Sequence, residues 1–145
     1  MYFDEYEVGM VFDDIEPISF TEEEIIEAGK RYDPRPIHVD KKAAEKSRFG
    51  RIIASGSWAN TVFWGQWVKT RIDEEGMICG VRVDNASWLL PIYPDTFYTI
   101  KVETTKLLER KAGQDGFVTN KLTAYDPEGE VVLIYEATAL VEFKK

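Results

Sequence analysis

The stretch IIASGSWANTVFWGQWVKTRI, residues 52–72, predicts a helix that starts at about Ser57. Its apolar and aromatic side chains (Trp58, Val62, Phe63, Trp64, Trp67 and Val68) fall on more than one face. A surface helix keeps one polar face in water; one that is apolar nearly all round belongs inside a fold. At about 15 residues it is too short to cross a bilayer, which takes roughly 20. The helix must therefore be covered by protein, and the rest of the chain has to supply the cover.

From Met77 onward β-branched and aromatic residues dominate, and residues 77–90, 97–111, 116–126 and 131–144 read as strands. They are joined by Pro91–Asp95, Gly113–Gly116 and Asp126-Pro127-Glu128-Gly129. The last two are turn chemistry and join antiparallel neighbours. Residues 11–20 are a further candidate strand. One buried helix and a long antiparallel meander give an α+β fold in which a sheet wraps around the helix. Trp58, Trp64, Trp67 and Trp88 are expected in its core, and Cys79 as a small buried residue of a strand.

Ahead of the buried helix the chain is helix-like. Thr21-Glu22-Glu23-Glu24 is a capping box, with Thr21 accepting from the amide three residues on and Glu24 reaching back. The helix it opens runs to Asp33-Pro34, where the residue before proline leaves the α region. Asp40 is the expected N-cap of a short helix through Lys46.

The 145 residues make one domain, 1–145, with 44% hydrophobic and 13% aromatic residues available for a core. A net charge of −8 argues against nucleic acid or an anionic membrane surface as partner. The single cysteine allows no internal disulfide, and one Cys with one His cannot build a zinc site of N and S ligands. The opening MYFDEYEVGM carries acids where a signal peptide has a basic segment followed by an apolar run. These features predict an unprocessed cytoplasmic protein with neither metal nor membrane span.

Chemistry concentrates in RYDPRPIHVD, residues 31–40, which holds the only histidine. Pro34 and Pro36 stiffen the loop between Asp33 and His38, so a carboxylate and an imidazole could converge on one water or one substrate proton. The plainer alternative is that Asp33 caps a turn and His38 is an ordinary half-buried side chain. Ser55-Gly56-Ser57 precedes the buried helix, where free amides and the absence of a Cβ could form an oxyanion hole. A simple N-cap serine is the other reading. A nucleophilic triad would want a G-x-S-x-G elbow, which is absent. Residues 30–51 carry eight bases against three acids in an acidic chain, an inversion that favours an anionic ligand. Asp13-Asp14 and Asp73-Glu74-Glu75 read as solvated turns.

Together these residues resemble the MaoC-like dehydratases, the (R)-specific enoyl-CoA hydratases of the hotdog fold. The resemblance is carried by YDPRPIHVDKKAAEKSRFGRIIASG, residues 32–56, with its Asp and His five apart and its small residue and Gly at the next helix. WLLPIYPDT (88–96), YEVGMVF (6–12) and PEGEVVLIYEATALV (127–141) extend it over nearly the whole chain. It implies a long central helix wrapped by an antiparallel sheet, and a homodimer with one continuous sheet. It also implies that Asp33 and His38 activate a water while the Gly56 amide polarises a thioester carbonyl. A trans-2-enoyl thioester, with coenzyme A as the expected carrier and no cofactor, would gain water reversibly.

Ser55, Arg35, Arg48 and Arg51 are the expected substrate contacts, the last two on carrier phosphates. Two departures stand out: Arg35 replaces the family's usual Asn or Gln, and the usual Gly before Asp95-Thr96 is missing. Arg35 could pair with Asp33, face an acyl carboxylate, or lie in solvent. The rival functions are a hotdog thioesterase and a non-catalytic acyl-thioester binding module. Thioesterases of this fold commonly place a carboxylate on the central helix, and residues 56–71 contain none.

Overall fold

A computed structural model describes all of residues 1–145. Helix α1 (Glu22–Tyr32) opens at the capping box: Thr21 Oγ1 accepts from the Glu24 amide at 3.1 Å, and the Glu24 carboxylate accepts from the Thr21 amide at 3.0 Å. The box satisfies two donors that a helix start would leave orphaned. The helix stops at Asp33, whose φ of −156° and ψ of 78° are the response to the proline that follows.

Residues 36–39, expected as part of a stiff loop, instead form one turn of helix, α2 (Pro36–Val39). Proline is at home in the first position of a helix, because its φ is already helical and its missing N–H would have no partner there. Helix α3 (Lys41–Lys46) then starts at Asp40, whose side chain accepts from the Ala43 amide at 3.1 Å.

Five antiparallel strands form one sheet: β1 (Val11–Phe12), β2 (Met77–Trp88), β3 (Thr99–Lys111), β4 (Asp115–Tyr125) and β5 (Val131–Glu142), in the order β1-β3-β4-β5-β2. The turns between β3 and β4 and between β4 and β5 use Gly113 (φ 64°) and Gly129 (φ 80°), a conformation that glycine adopts without strain. The candidate strand at 11–20 shrinks to two residues plus a bridge from Ile18 to Tyr98. Pro17 lies between these pairings and has no N–H to give a ladder.

The buried helix is α4 (Gly56–Val68), packed against one face of the sheet. Its Ala59, Phe63 and Trp67 join Ile100, Val102, Leu122 and Leu133 in one core. A single sheet covers only one side of a helical cylinder. Ser57, Thr61 and Val68 on the other side are exposed, although the sequence predicted burial nearly all round.

Three further expectations are corrected. Trp67 is fully buried, but Trp58 and Trp64 are half-buried and Trp88 is 50% exposed. Cys79 is exposed, because β2 is an edge strand with β5 as its only neighbour and much of it faces outward. Asp73, expected in a solvated turn, is buried and accepts the Trp67 indole N–H at 3.1 Å. A fully buried tryptophan needs an acceptor, and the chain after α4 folds back to supply one. Burial pushes the Asp73 carboxyl above its ordinary pKa.

Candidate active site

His38 in α2 is buried, and its Nδ1 lies 2.7 Å from the Ile53 carbonyl oxygen. A carbonyl can only accept, so Nδ1 carries the proton and Nε2 of the neutral ring is left with its lone pair. Nε2 faces Asp33 Oδ2 at 3.5 Å. A neutral imidazole and a carboxylate in this arrangement are two acceptors aimed at one place. A hydroxyl or water that donates to both would fit their chemistry.

Asp33 is held from two further sides. The fully buried Ser55 donates its hydroxyl to Oδ2 at 2.9 Å, and Arg35 Nη1 pairs with Oδ1. Burial pulls the Asp33 carboxyl upward, yet the hydrogen bonds from Ser55 and Arg35, with the charge of Arg35, hold it below the usual carboxylate range. Ser57 extends the chain, its hydroxyl 3.2 Å from that of Ser55.

The start of α4 completes the site. Gly56 is the helix's first residue, so its amide has no intrahelical partner, and the positive end of the helix dipole lies there. Asp33, His38, Gly56, Ser57, Arg35 and Trp88 line one cavity of about 330 Å³. A Cβ on Gly56 would lie 2.4–2.7 Å from atoms of the Trp88 indole, so the glycine makes room for that ring as well as for a ligand. Sequence reading assigned Trp88 to the core and missed it as a wall of the cavity. The signal was its place at the head of the WLLPIYPDT motif. The Ile53 carbonyl was missed too, and no side-chain pattern could have marked a backbone atom.

Asp33, His38, Gly56 and Ser55 therefore meet, and Arg35 joins them through Asp33. The Arg35 side chain is otherwise 73% exposed, so of its three readings the pairing with Asp33 is the one the fold adopts. Arg48 and Arg51 are exposed and do not line this cavity. Arg51 instead places its guanidinium over the Tyr93 ring, 4.4 Å from the centroid. No group of three or more His, Cys, Asp or Glu residues is placed to hold a metal ion.

The model of the MaoC like domain matches residues 5–126, which include every residue named in this site. The chain belongs to the MaoC-like family. The chain is 27% identical over 143 residues to the uncharacterized protein YdeM of Bacillus subtilis strain 168, covering 98% of this chain and 99% of that one. Among solved structures, the MaoC-like dehydratase from Rhodospirillum rubrum superposes with a TM-score of 0.90 at 24% identity, covering 100% of this chain and 99% of that one. The R-hydratase PhaJ1 of Pseudomonas aeruginosa gives 0.75 at 18% identity, covering 99% of this chain and 86% of that one. The fold of this MaoC-like chain is the hotdog fold, a helix wrapped by an antiparallel sheet. None of its helices is long and apolar enough to cross a membrane.

Proposed function

We propose that this chain adds water reversibly to a trans-2-enoyl thioester, giving the 3-hydroxyacyl thioester, with coenzyme A as the carrier. The observation that carries the reading is the convergence of Asp33 Oδ2 and His38 Nε2, 3.5 Å apart, beside the free amide end of α4. A water donating to both acceptors is oriented and made more nucleophilic. As its oxygen bonds to C3, the C2–C3 π pair moves into the thioester as an enolate. The Gly56 amide stabilises the enolate oxygen while its charge forms. The proton taken up by the Asp33–His38 pair is then returned to C2, so one water is added and nothing else is consumed. No cofactor is needed, because the thioester itself supplies the electron sink. The family name and the dehydratase and R-hydratase titles of the structural neighbours agree with this chemistry.

The working assembly we propose is a homodimer. β2 leaves one edge unpaired, with Ile78, Val81 and Val83 about half exposed along it, and native proteins cover or pair such edges. Sedimentation showing only a 16.7 kDa species would contradict it.

A second reading, a binding module without turnover, draws on the Arg35–Asp33 pair, since a lowered carboxyl is a weaker base. Loss of crotonyl-CoA absorbance on hydration separates the two. Asp33→Asn and His38→Gln should each cut the rate by about 10²–10⁴ while the protein stays folded. Near-native rates in both variants would remove the assignment, and tight binding by a wild type that does not turn over would support the module.

A further inference from the structure

Ser55 occupies the N-cap of α4, the position whose side chain ordinarily accepts from an amide in the first turn of the helix. It makes no such bond. Its hydroxyl turns away from the helix and donates to Asp33 Oδ2 at 2.9 Å. A local capping bond is forgone for a carboxylate 22 residues away, so something must hold the hydroxyl in that direction.

The hydroxyl of Ser57, 3.2 Å from that of Ser55, supplies the hold. The direction of this contact follows from the carboxylate. An ionised carboxyl can only accept, so the single hydroxyl proton of Ser55 is committed to Asp33. The proton between the two serines therefore belongs to Ser57, and the bonds run from Ser57 to Ser55 to Asp33. Ser55 is fully buried, and in this arrangement its donor and its acceptor are both engaged. Ser57 itself is exposed and lines the cavity with Asp33, His38 and Gly56.

Two orientations of the Ser55 hydroxyl compete. In one it donates to Asp33 and accepts from Ser57. In the other it swings to cap α4 and accepts from the Ser57 or Trp58 amide, neither of which has an intrahelical partner. Without the Ser57 hydroxyl the first orientation leaves a buried acceptor unmatched, and the free amides offer a match. The balance then moves to the cap, and Asp33 Oδ2 loses its donor. That oxygen is the one that faces His38 Nε2 at 3.5 Å across the place assigned to the water. Arg35 holds the other oxygen, Oδ1, and does not replace Ser55.

We propose that Ser57 is a positioning residue: through Ser55 it fixes the Asp33 carboxylate that holds the attacking water. The part played by the water rests on the thioester reading given above, whereas the hydrogen-bonded chain does not. The charged and titratable groups against Asp33 are Arg35 and His38, and a change at Ser57 alters neither.

The test follows the Asp33 carboxyl carbon by NMR through an acid titration of wild type, Ser57→Ala, Ser57→Thr and Ser55→Ala, with Asp33→Asn to assign the signal. In Ser57→Ala the carboxyl should titrate higher than in wild type and close to its value in Ser55→Ala, because both lack the donor to Oδ2. Threonine keeps the hydroxyl and should restore the wild-type value. Ser57→Ala should melt near wild type, since the cap replaces the lost bond, and Ser55→Ala below it. In crotonyl-CoA hydration Ser57→Ala should lose about 10-fold in kcat with KM little changed, and Ser57→Thr should keep most of the rate. A raised Asp33 titration that threonine restores supports the inference even if crotonyl-CoA is not hydrated, an outcome that removes only the hydration reading. An Asp33 titration unmoved by Ser57→Ala, with or without a lower Tm, overturns the inference, and so does full kcat in that variant.

Discussion

Gly56→Ala separates two uses of one missing side chain. A Cβ at residue 56 would lie 2.4 Å from Trp88 Nε1, 2.6 Å from Cε2 and 2.7 Å from Cδ1. Carbon contacts become comfortable at about 3.5 Å, so the indole has to withdraw by about 1 Å. Trp88 is 50% exposed and can turn toward solvent to do so. Overpacking of this kind costs about 1–3 kcal/mol. Exchanging glycine for alanine in a helix returns at most about 0.5–1 kcal/mol. The net loss of about 0–2.5 kcal/mol should lower Tm by about 2–4 °C per kcal/mol at this chain length.

The rate should fall further than the stability. The new methyl holds a thioester carbonyl away from the helix-start amide, and loss of one such donor costs about 10²–10³ in kcat. The assay is crotonyl-CoA hydration beside thermal melts for Gly56→Ala, Trp88→Ala and the double variant. Removing the indole removes the overlap, so the double variant should match Trp88→Ala in Tm while remaining far slower than it. A double variant as fast as Trp88→Ala would refute the reasoning, because the glycine would then serve only to seat the tryptophan.

Arg35→Asn removes one of the hydrogen bonds that lower the Asp33 carboxyl, so the carboxylate should become a stronger base and kcat should rise by about 2–5-fold; a fall in kcat would mark Arg35 as a substrate contact. Because the folded-state pKa of Asp33 lies below its unfolded value, the stability it supplies is complete above pH about 4 and is lost as the pH falls below that. The Tm difference between wild type and Asp33→Asn should therefore shrink on acidification, and a constant difference from pH 7 to pH 2 would contradict the assigned hydrogen bonds. Asp73 has the opposite sign: its folded-state pKa is raised, so its ionisation opposes folding increasingly as the pH climbs above about 4. Asp73→Asn, which keeps an acceptor for Trp67, should melt higher than wild type at pH 7 and equal to it near pH 3, whereas Asp73→Ala should lose about 1–3 kcal/mol; a less stable Asp73→Asn at neutral pH would count against this account. Arg48→Ala and Arg51→Ala should raise the KM for crotonyl-CoA in a salt-dependent way with little change in kcat, and an unchanged KM would leave both as surface charge.

Local chemistry made much of the molecule legible in the sequence. Thr21 and Glu24 cap α1, Asp40 caps α3, and the glycine turns at 113 and 129 join neighbouring strands, because each depends on residues within a few positions of one another. Asp33, His38, Ser55 and Gly56 were all identifiable as a candidate set, since two rigid stretches of chain carry them.

Only the tertiary structure decided how they are used. The pairing of β2 with β5 across more than 40 residues makes β2 an edge, which exposes Cys79 and leaves Trp88 free to lie over Gly56. The proton on His38 is assigned by the Ile53 carbonyl, a backbone group with no signature in side-chain pattern. Asp73 and Asn60 show the same limit from two directions. Both are polar residues whose burial depends on what packs over them: one received the Trp67 indole as a partner, the other received none. Capping and turn preferences are energies of adjacent residues, so the sequence carries them directly. Burial and hydrogen-bond pairing are properties of surfaces brought together from distant parts of the chain, and they exist only once the sheet has closed over α4.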